Sequence, residues 1–314
     1  MTAQPPSRIR FLLGGLLELG VAVAFLAAAI AACHLLVVPL LVGAFSLGDS
    51  AASFVRRTAV LLAVVLSYWA FVRLYLRRPV RELAPRLPWT LLAGAAGALS
   101  IGVTILALFL SGHYLLAGFR GWAQAPDVLG QILVAAVIEE VAFRGILLQT
   151  LERRIGTAAA LGVSAGIFGA VHLANDGARW ITLLSVTLAG LIWSSVFLLT
   201  RNVWVSTAHH ACWNATIWAV GLPLSGEEAW RALAPFTTVT HGSDLWTGGA
   251  FGPEDSLVNL AVSAALCWGL LRLGSSPRWR GSSGPPAPSS AGRSVGPPPS
   301  PAPGPHPAAP SPPC

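Results

Sequence analysis

Long apolar runs, separated by short stretches that carry arginine, dominate residues 11–272. The runs at 11–44, 59–76, 89–117, 128–150, 157–173, 180–200, 203–221 and 257–272 approach or exceed the roughly 20 residues that carry a helix across about 30 Å of hydrocarbon. In lipid the backbone must satisfy its own hydrogen bonds, so runs of this length predict helices. The expected fold class is therefore all-α, a polytopic membrane bundle of about eight transmembrane helices. The first run is too long for a signal-peptide core and is expected to be retained, with its excess length taken up by tilt or by a break near Pro39. Organisation follows from the same pattern: N-terminal helices over 1–127, a core over 128–216, a loop with the last helix over 217–274, and a tail over 275–314. The segment 222–255, rich in tryptophan and acids, is expected to be a connector rather than a lid or gate. From residue 281 the chain holds 13 prolines in 34 residues, a composition that predicts disorder.

Composition narrows the class. Only 11% of the 314 residues are charged and 54% are hydrophobic, against about 25% charged in soluble domains. Mean hydropathy is +0.66. A soluble globular protein is excluded. The formal charge of +7 comes from twenty basic residues, all arginine, and it does not mark a nucleic-acid partner, because the arginines sit at the ends of the apolar runs. Arg8, Arg10, Arg77, Arg78, Arg81, Arg86, Arg153, Arg154, Arg201, Arg272, Arg278 and Arg280 fall on one side of the expected membrane. Arg56, Arg57, Arg120, Arg179 and Arg231 fall on the other, together with the acids of 222–255. The positive-inside rule then predicts an integral protein of the plasma membrane with both termini cytoplasmic. The four cysteines show no metal-type spacing, and no disulfide framework is implied.

The chemistry lies where the runs are polar. Glu139 and Glu140 fall near the middle of the fourth run, followed by Arg144. Each ionised group at mid-bilayer costs about 2.5–3.5 kcal/mol on insertion scales, so such residues face protein or a wet cavity. Glu140 and Arg144 are i,i+4 and can pair, whereas Glu139 projects about 100° away and lacks that partner. Glu139 is thus the candidate general base. His172 ends the fifth run one turn after Phe168, and His209, His210 and Asn214 lie in the seventh, with His210 and Asn214 on one face. Gly162 and Gly166 offer a small-residue seam for helix packing. With Ser164 they also spell GxSxG, but that nucleophile motif needs a strand-to-helix turn rather than an apolar helix.

EExxxR, FxxxH and HxxxN, in this order on separate apolar segments between about 128 and 216, resemble the CPBP family of intramembrane proteases, whose eukaryotic members process CaaX proteins. The resemblance implies a glutamate-dependent CAAX-type endopeptidase, often labelled a metalloprotease. Glu139 and His172 would polarise water, His210 and Asn214 would stabilise the oxyanion, and Glu140, Arg144 and Phe168 would support them. His209 would be packed behind. The implied partners are membrane lipid and a peptide or lipidated protein, with CaaX processing, bacteriocin immunity or peptide maturation as roles. No cofactor is required by the metal-free mechanism. Zinc held by Glu139, His172 and His210 is the alternative, disfavoured because HExxH spacing is absent. The rival class is a non-catalytic membrane protein, either a proton-coupled transporter or an inactive scaffold, since intramembrane Glu, His and Arg also serve proton relays.

Overall fold

The computed structural model describes residues 8–275, so the proline-rich tail expected to be disordered lies outside the described residues. The chain is a helical membrane bundle. The first run forms α1 (Arg8–Ala32), a π turn (Cys33–Val37) and α2 (Val38–Ala44) as one continuous rod. Of the two expected ways to take up its length, a break at Pro39 is absent, and the α winding is interrupted just before it by the π turn. Pro39 falls in the first turn of α2, directly after the π turn, and the widened winding accommodates a residue that lacks a backbone donor. α3 (Asp49–Ala70) also ends in a π turn (Phe71–Tyr75), and α4 (Leu87–Leu110) follows. α5 (Ala125–Glu140) continues through a π segment (Val141–Leu148) into α6 (Gln149–Ile155). α7 (Thr157–Val171), α8 (Trp180–Thr200), α9 (Val203–Ala219), the short α10 (Glu228–Ala232) and α11 (Asp244–Thr247), and α12 (Leu257–Ser275) complete the order.

Six segments are long and apolar enough to cross a membrane: Phe11–Ala44, Asp49–Tyr75, Leu87–Leu110, Thr157–Ala174, Trp180–Thr200 and Leu257–Gly274. The other two predicted spans are helical as well. One of them carries Glu139, Glu140 and Arg144, and the other is α9, only 17 residues long and bearing two histidines. The two helices outside these six carry most of the polar chemistry, and His172 lies at the end of one of the six.

The third run ends earlier than expected. Helix α4 stops at Leu110, Gly112 adopts a positive φ of 76°, and Tyr114–Phe119 forms β1. It pairs antiparallel with β2 (Phe236–Thr240), with a register shift between Leu116 and Gly118. The loop 222–255 is therefore not a bare connector. Its strand belongs to a small sheet over one end of the bundle, and the Tyr114 hydroxyl donates to the Thr247 carbonyl at 2.6 Å.

Close helix contacts run through glycines other than the expected pair. A Cβ on Gly162 or Gly166 would meet nothing within 4 Å, so neither forms a seam. A Cβ on Gly97 would lie 2.0 Å from the His209 carbonyl oxygen, which brings α4 hard against α9. Between α7 and α8 the same role falls to Gly169, whose Cβ would sit 2.3 Å from Thr187 Oγ1.

Candidate active site

Glu140 and Arg144 form the floor. Both are fully buried, and Arg144 donates to Glu140 Oε1 at 2.9 Å. Arg144 also donates to the Gly190 carbonyl at 3.1 Å and to Ser194 Oγ at 3.3 Å, so the pair joins its own helix to α8 rather than only bracing one turn. Its guanidinium lies 4.7 Å from the Phe168 ring centroid and 5.6 Å from that of Trp193, a face-on placement that lets aromatic quadrupoles share the charge.

His210 stands above this floor. Its Nδ1 is 3.1 Å from Glu140 Oε1, and its Nε2 is 3.8 Å from Glu139 Oε2. The Glu140 carboxylate, already accepting from Arg144, can only accept again, so Nδ1 carries the proton. Nε2 then donates only in the doubly protonated ring, a form that stands between two carboxylates. Trp193 stacks on the imidazole at 3.7 Å between centroids, and its Nε1 donates to His209 Nδ1 at 3.1 Å. His209 thus fixes the tryptophan that fixes His210.

His172 follows the last turn of α7. Its Nδ1 donates to the Phe168 carbonyl at 2.8 Å, which leaves Nε2 as an acceptor. Phe168 bridges the cluster, with its ring 4.5 Å from His172 and 5.7 Å from Trp193.

Glu139, Phe168, His172, Trp193, His210 and Asn214 line one pocket with about 110 Å³ of room for water. The Glu139 side chain is 30% exposed while that of Glu140 is sealed, as the 100° between neighbouring helix positions requires. Glu139 Oε2 and Asn214 Oδ1 are buried without a protein hydrogen-bond partner. A buried polar atom left unmade costs about 1–3 kcal/mol, so both are available to a bound group. Ser164 lies on α7, outside this lining, which separates the GxSxG serine from the site.

Beside the apolar Ala135, Val186 and Ala189, the wall is completed by loop residues that no spacing along the sequence singles out: Asn175, Leu224, Ser225, Glu227, Trp230 and Glu254. Glu254 is the most consequential. Its Oε2 accepts from the Ser225 amide at 2.9 Å and from Ser225 Oγ at 2.8 Å. Burial pushes its carboxyl up to about 7, the neighbouring Asp255 charge adds to the rise, and the Ser225 donors oppose it. Ser225 holds a positive φ of 48°, unusual for a residue with a side chain. The turn is pinned from below, where Asp255 accepts from Thr182 and from Ser185 Oγ at the start of α8. Gly226 is required here, because a Cβ would come within 2.1 Å of the Asp176 carbonyl oxygen. Trp230 Nε1 donates to Gln131 Oε1 on α5 at 3.1 Å. The 222–255 segment is a tied roof.

Among the described residues no three His, Cys, Asp or Glu side chains gather closely enough to hold one ion. What the pocket offers is a partly exposed carboxylate beside two imidazoles and an amide, in enclosed surroundings where dipoles act strongly.

Residues 120–216 match the Rce1-like family, described as type II CAAX prenyl endopeptidase Rce1-like. The match is consistent with the CPBP group of CAAX-type intramembrane proteases. It contains Glu139, Glu140, Arg144, His172, Trp193, His210 and Asn214, and it excludes Glu227, Trp230 and Glu254. No curated protein and no solved structure matches the chain.

Proposed function

Starting from an Rce1-like core within an integral membrane bundle, we propose that this protein hydrolyses peptide bonds inside the membrane with a water activated by Glu139. The observation that carries the proposal is the contrast between the two adjacent acids: Glu140 is committed to Arg144 and His210, while Glu139 faces a polar pocket with an unpaired oxygen. Glu139 takes a proton from water as the water oxygen bonds to the scissile carbonyl carbon. His172 Nε2 accepts the second water hydrogen and holds the nucleophile in line. The oxyanion accepts from the Asn214 side-chain N–H and from Nε2–H of His210 in its doubly protonated form. When the carbon–nitrogen bond breaks, the departing amine takes its proton from Glu139, leaving the starting enzyme and a carboxylic acid that keeps the second water hydrogen until it ionises to solvent. A positioned base contributes about 10²–10⁴-fold, and one oxyanion donor about 10²–10³-fold.

The substrate is a peptide or lipidated protein that reaches the membrane, with CaaX-type processing the activity that the family match suggests. No step is routed through a metal. The test is cleavage of a peptide library by the purified full-length chain in the presence of a chelator, wild type beside Glu139→Gln and His172→Ala. Cleavage by wild type alone supports the proposal. Equal cleavage by Glu139→Gln removes the base, and loss on chelation with recovery on adding zinc replaces the mechanism with a metal-dependent one.

A further inference from the structure

Helix direction decides which loops share a face of the bundle. With each apolar helix crossing in turn, the segments 45–48, 111–124, 172–179 and 220–256 lie on one face, and 76–86, 156 and 201–202 lie on the other with the start of α1 and the end of α12. The two faces differ sharply in charge. Among the described residues, the face holding 76–86 carries eleven arginines against three carboxylates, and the opposite face carries five arginines against eight carboxylates. Basic residues resist translocation, so the arginine-rich face is cytoplasmic, and carboxylates contribute little to that choice.

The pocket opens on the opposite face. Each of its loop residues belongs to 172–179 or 220–256. His172 directly follows α7, and Asn214 lies in the last turns of α9, which both end on that face. Toward the cytoplasm the pocket is closed by the fully buried Glu140–Arg144 pair and by Trp193. Deeper still, Tyr68, Arg78, Glu82 and Gln149 form a hydrogen-bonded network around the end of the π segment.

We infer that this site receives its substrate from the non-cytoplasmic side: a polypeptide segment that has been exported, or that stands in the outer half of the bilayer, rather than a tail made and kept in the cytoplasm. The inference rests on the protease reading of the pocket and narrows its substrate class, setting aside the cytoplasmic CaaX-type tail that the family match suggests.

The test separates the two. Full-length protein is expressed in a bacterial plasma membrane, and Glu228→Cys, in the exposed roof, or Arg81→Cys, in the 76–86 connection, is probed with a membrane-impermeant maleimide, with the wild-type chain as background for its four native cysteines. The expected result is labelling of Glu228→Cys in intact spheroplasts and of Arg81→Cys only in inverted vesicles. A peptide cleaved by the detergent-purified protein is then added outside each preparation. Cleavage should be several-fold faster in spheroplasts, and detergent should erase the difference. Reversed labelling, or faster cleavage in inverted vesicles, overturns the inference and leaves the protease reading standing if cleavage still requires Glu139. Absence of Glu139-dependent cleavage by folded protein in detergent overturns the protease reading and the substrate class with it.

Discussion

The rod that runs from α1 through α2 and helix α8 are both long and apolar, yet they occupy opposite environments. Of the most apolar stretch in each, 17% is buried in the first and 67% in the second. Mean apolarity therefore reports compatibility with lipid and not position in the bundle. What separates the two is the polar minority. Helix α8 carries Thr182, Ser185, Ser194 and Ser195, all buried, whereas α1 exposes Phe11, Leu12, Leu13, Leu16 and Leu17. Small hydroxyls allow close approach and reach partners on neighbouring helices, which lipid does not offer. Chemistry has settled against α8 for the same reason: Arg144 finds Ser194 and the Gly190 carbonyl there.

The same substitution in the two regions should give opposite outcomes. Glu139→Gln should reduce peptide cleavage by about 10²–10⁴-fold with the thermal midpoint unchanged. Glu18→Gln on α1, where the carboxylate accepts from Thr150 at 2.9 Å and pairs with Arg153 and Arg154, should lower the midpoint and leave the turnover number alone. Arg144→Ala should cost about 3–5 kcal/mol, because it strands a buried carboxylate. Pairing Arg144→Met with Glu140→Leu should restore much of that stability while cleavage stays lost, since His210 no longer has its Nδ1 partner. Both follow from unfolding in detergent alongside the peptide assay.

Glu254 predicts a pH effect of definite sign. Its carboxyl is raised to about 7 from an ordinary 4.5, so the native state holds the proton more tightly than the unfolded chain does. The stabilisation that Glu254 contributes should be fully present below about pH 4.5 and be lost as pH rises to about 7, by about 3 kcal/mol at 1.36 kcal/mol per unit. Glu254→Gln should lack this component, so that the difference in stability between the two proteins changes over that range, and a parallel pH dependence in both would refute the assignment. The smallest effects fall on the glycines. Gly97→Ala should cost about 1–3 kcal/mol by overpacking against His209. Gly20→Ala, with open space around its Cβ on α1, should be neutral or stabilising by up to about 1 kcal/mol.

Much of the bundle was readable from the chain because lipid simplifies the rules, and the runs at 157–173, 180–200 and 257–272 lie within a few residues of α7, α8 and α12. The pairing of Glu140 with Arg144 was readable because it is local. What the pattern misassigned depends on distant partners. Residues 114–117 continue the third apolar run but are drawn into a strand by 236–240, over a hundred residues later. Gly162 and Gly166 have the spacing of a seam, yet spacing cannot tell which face a neighbour will occupy. Glu254 was invisible for a related reason: 29 residues separate it from Ser225, and the Asp255 contacts with α8 carry the turn to the pocket. Trp193 looked like any aromatic residue in an apolar run until it stacked on His210.

The wide winding over Val141–Leu148 begins immediately after the two acids. A π turn amounts to one residue more than the α-helical lattice needs, and its wider winding absorbs that residue locally, so the stretches before and after it keep nearly the phase of an unbroken helix. Losing one residue within those eight would let the segment return to α winding with Glu139, Glu140 and Gln149 facing much as before, whereas losing one from the regular winding of α6 would swing the acids about 100° relative to all that follows. The π segment is thus the one stretch of this rod where a residue can be dropped without turning the acids away from their partners.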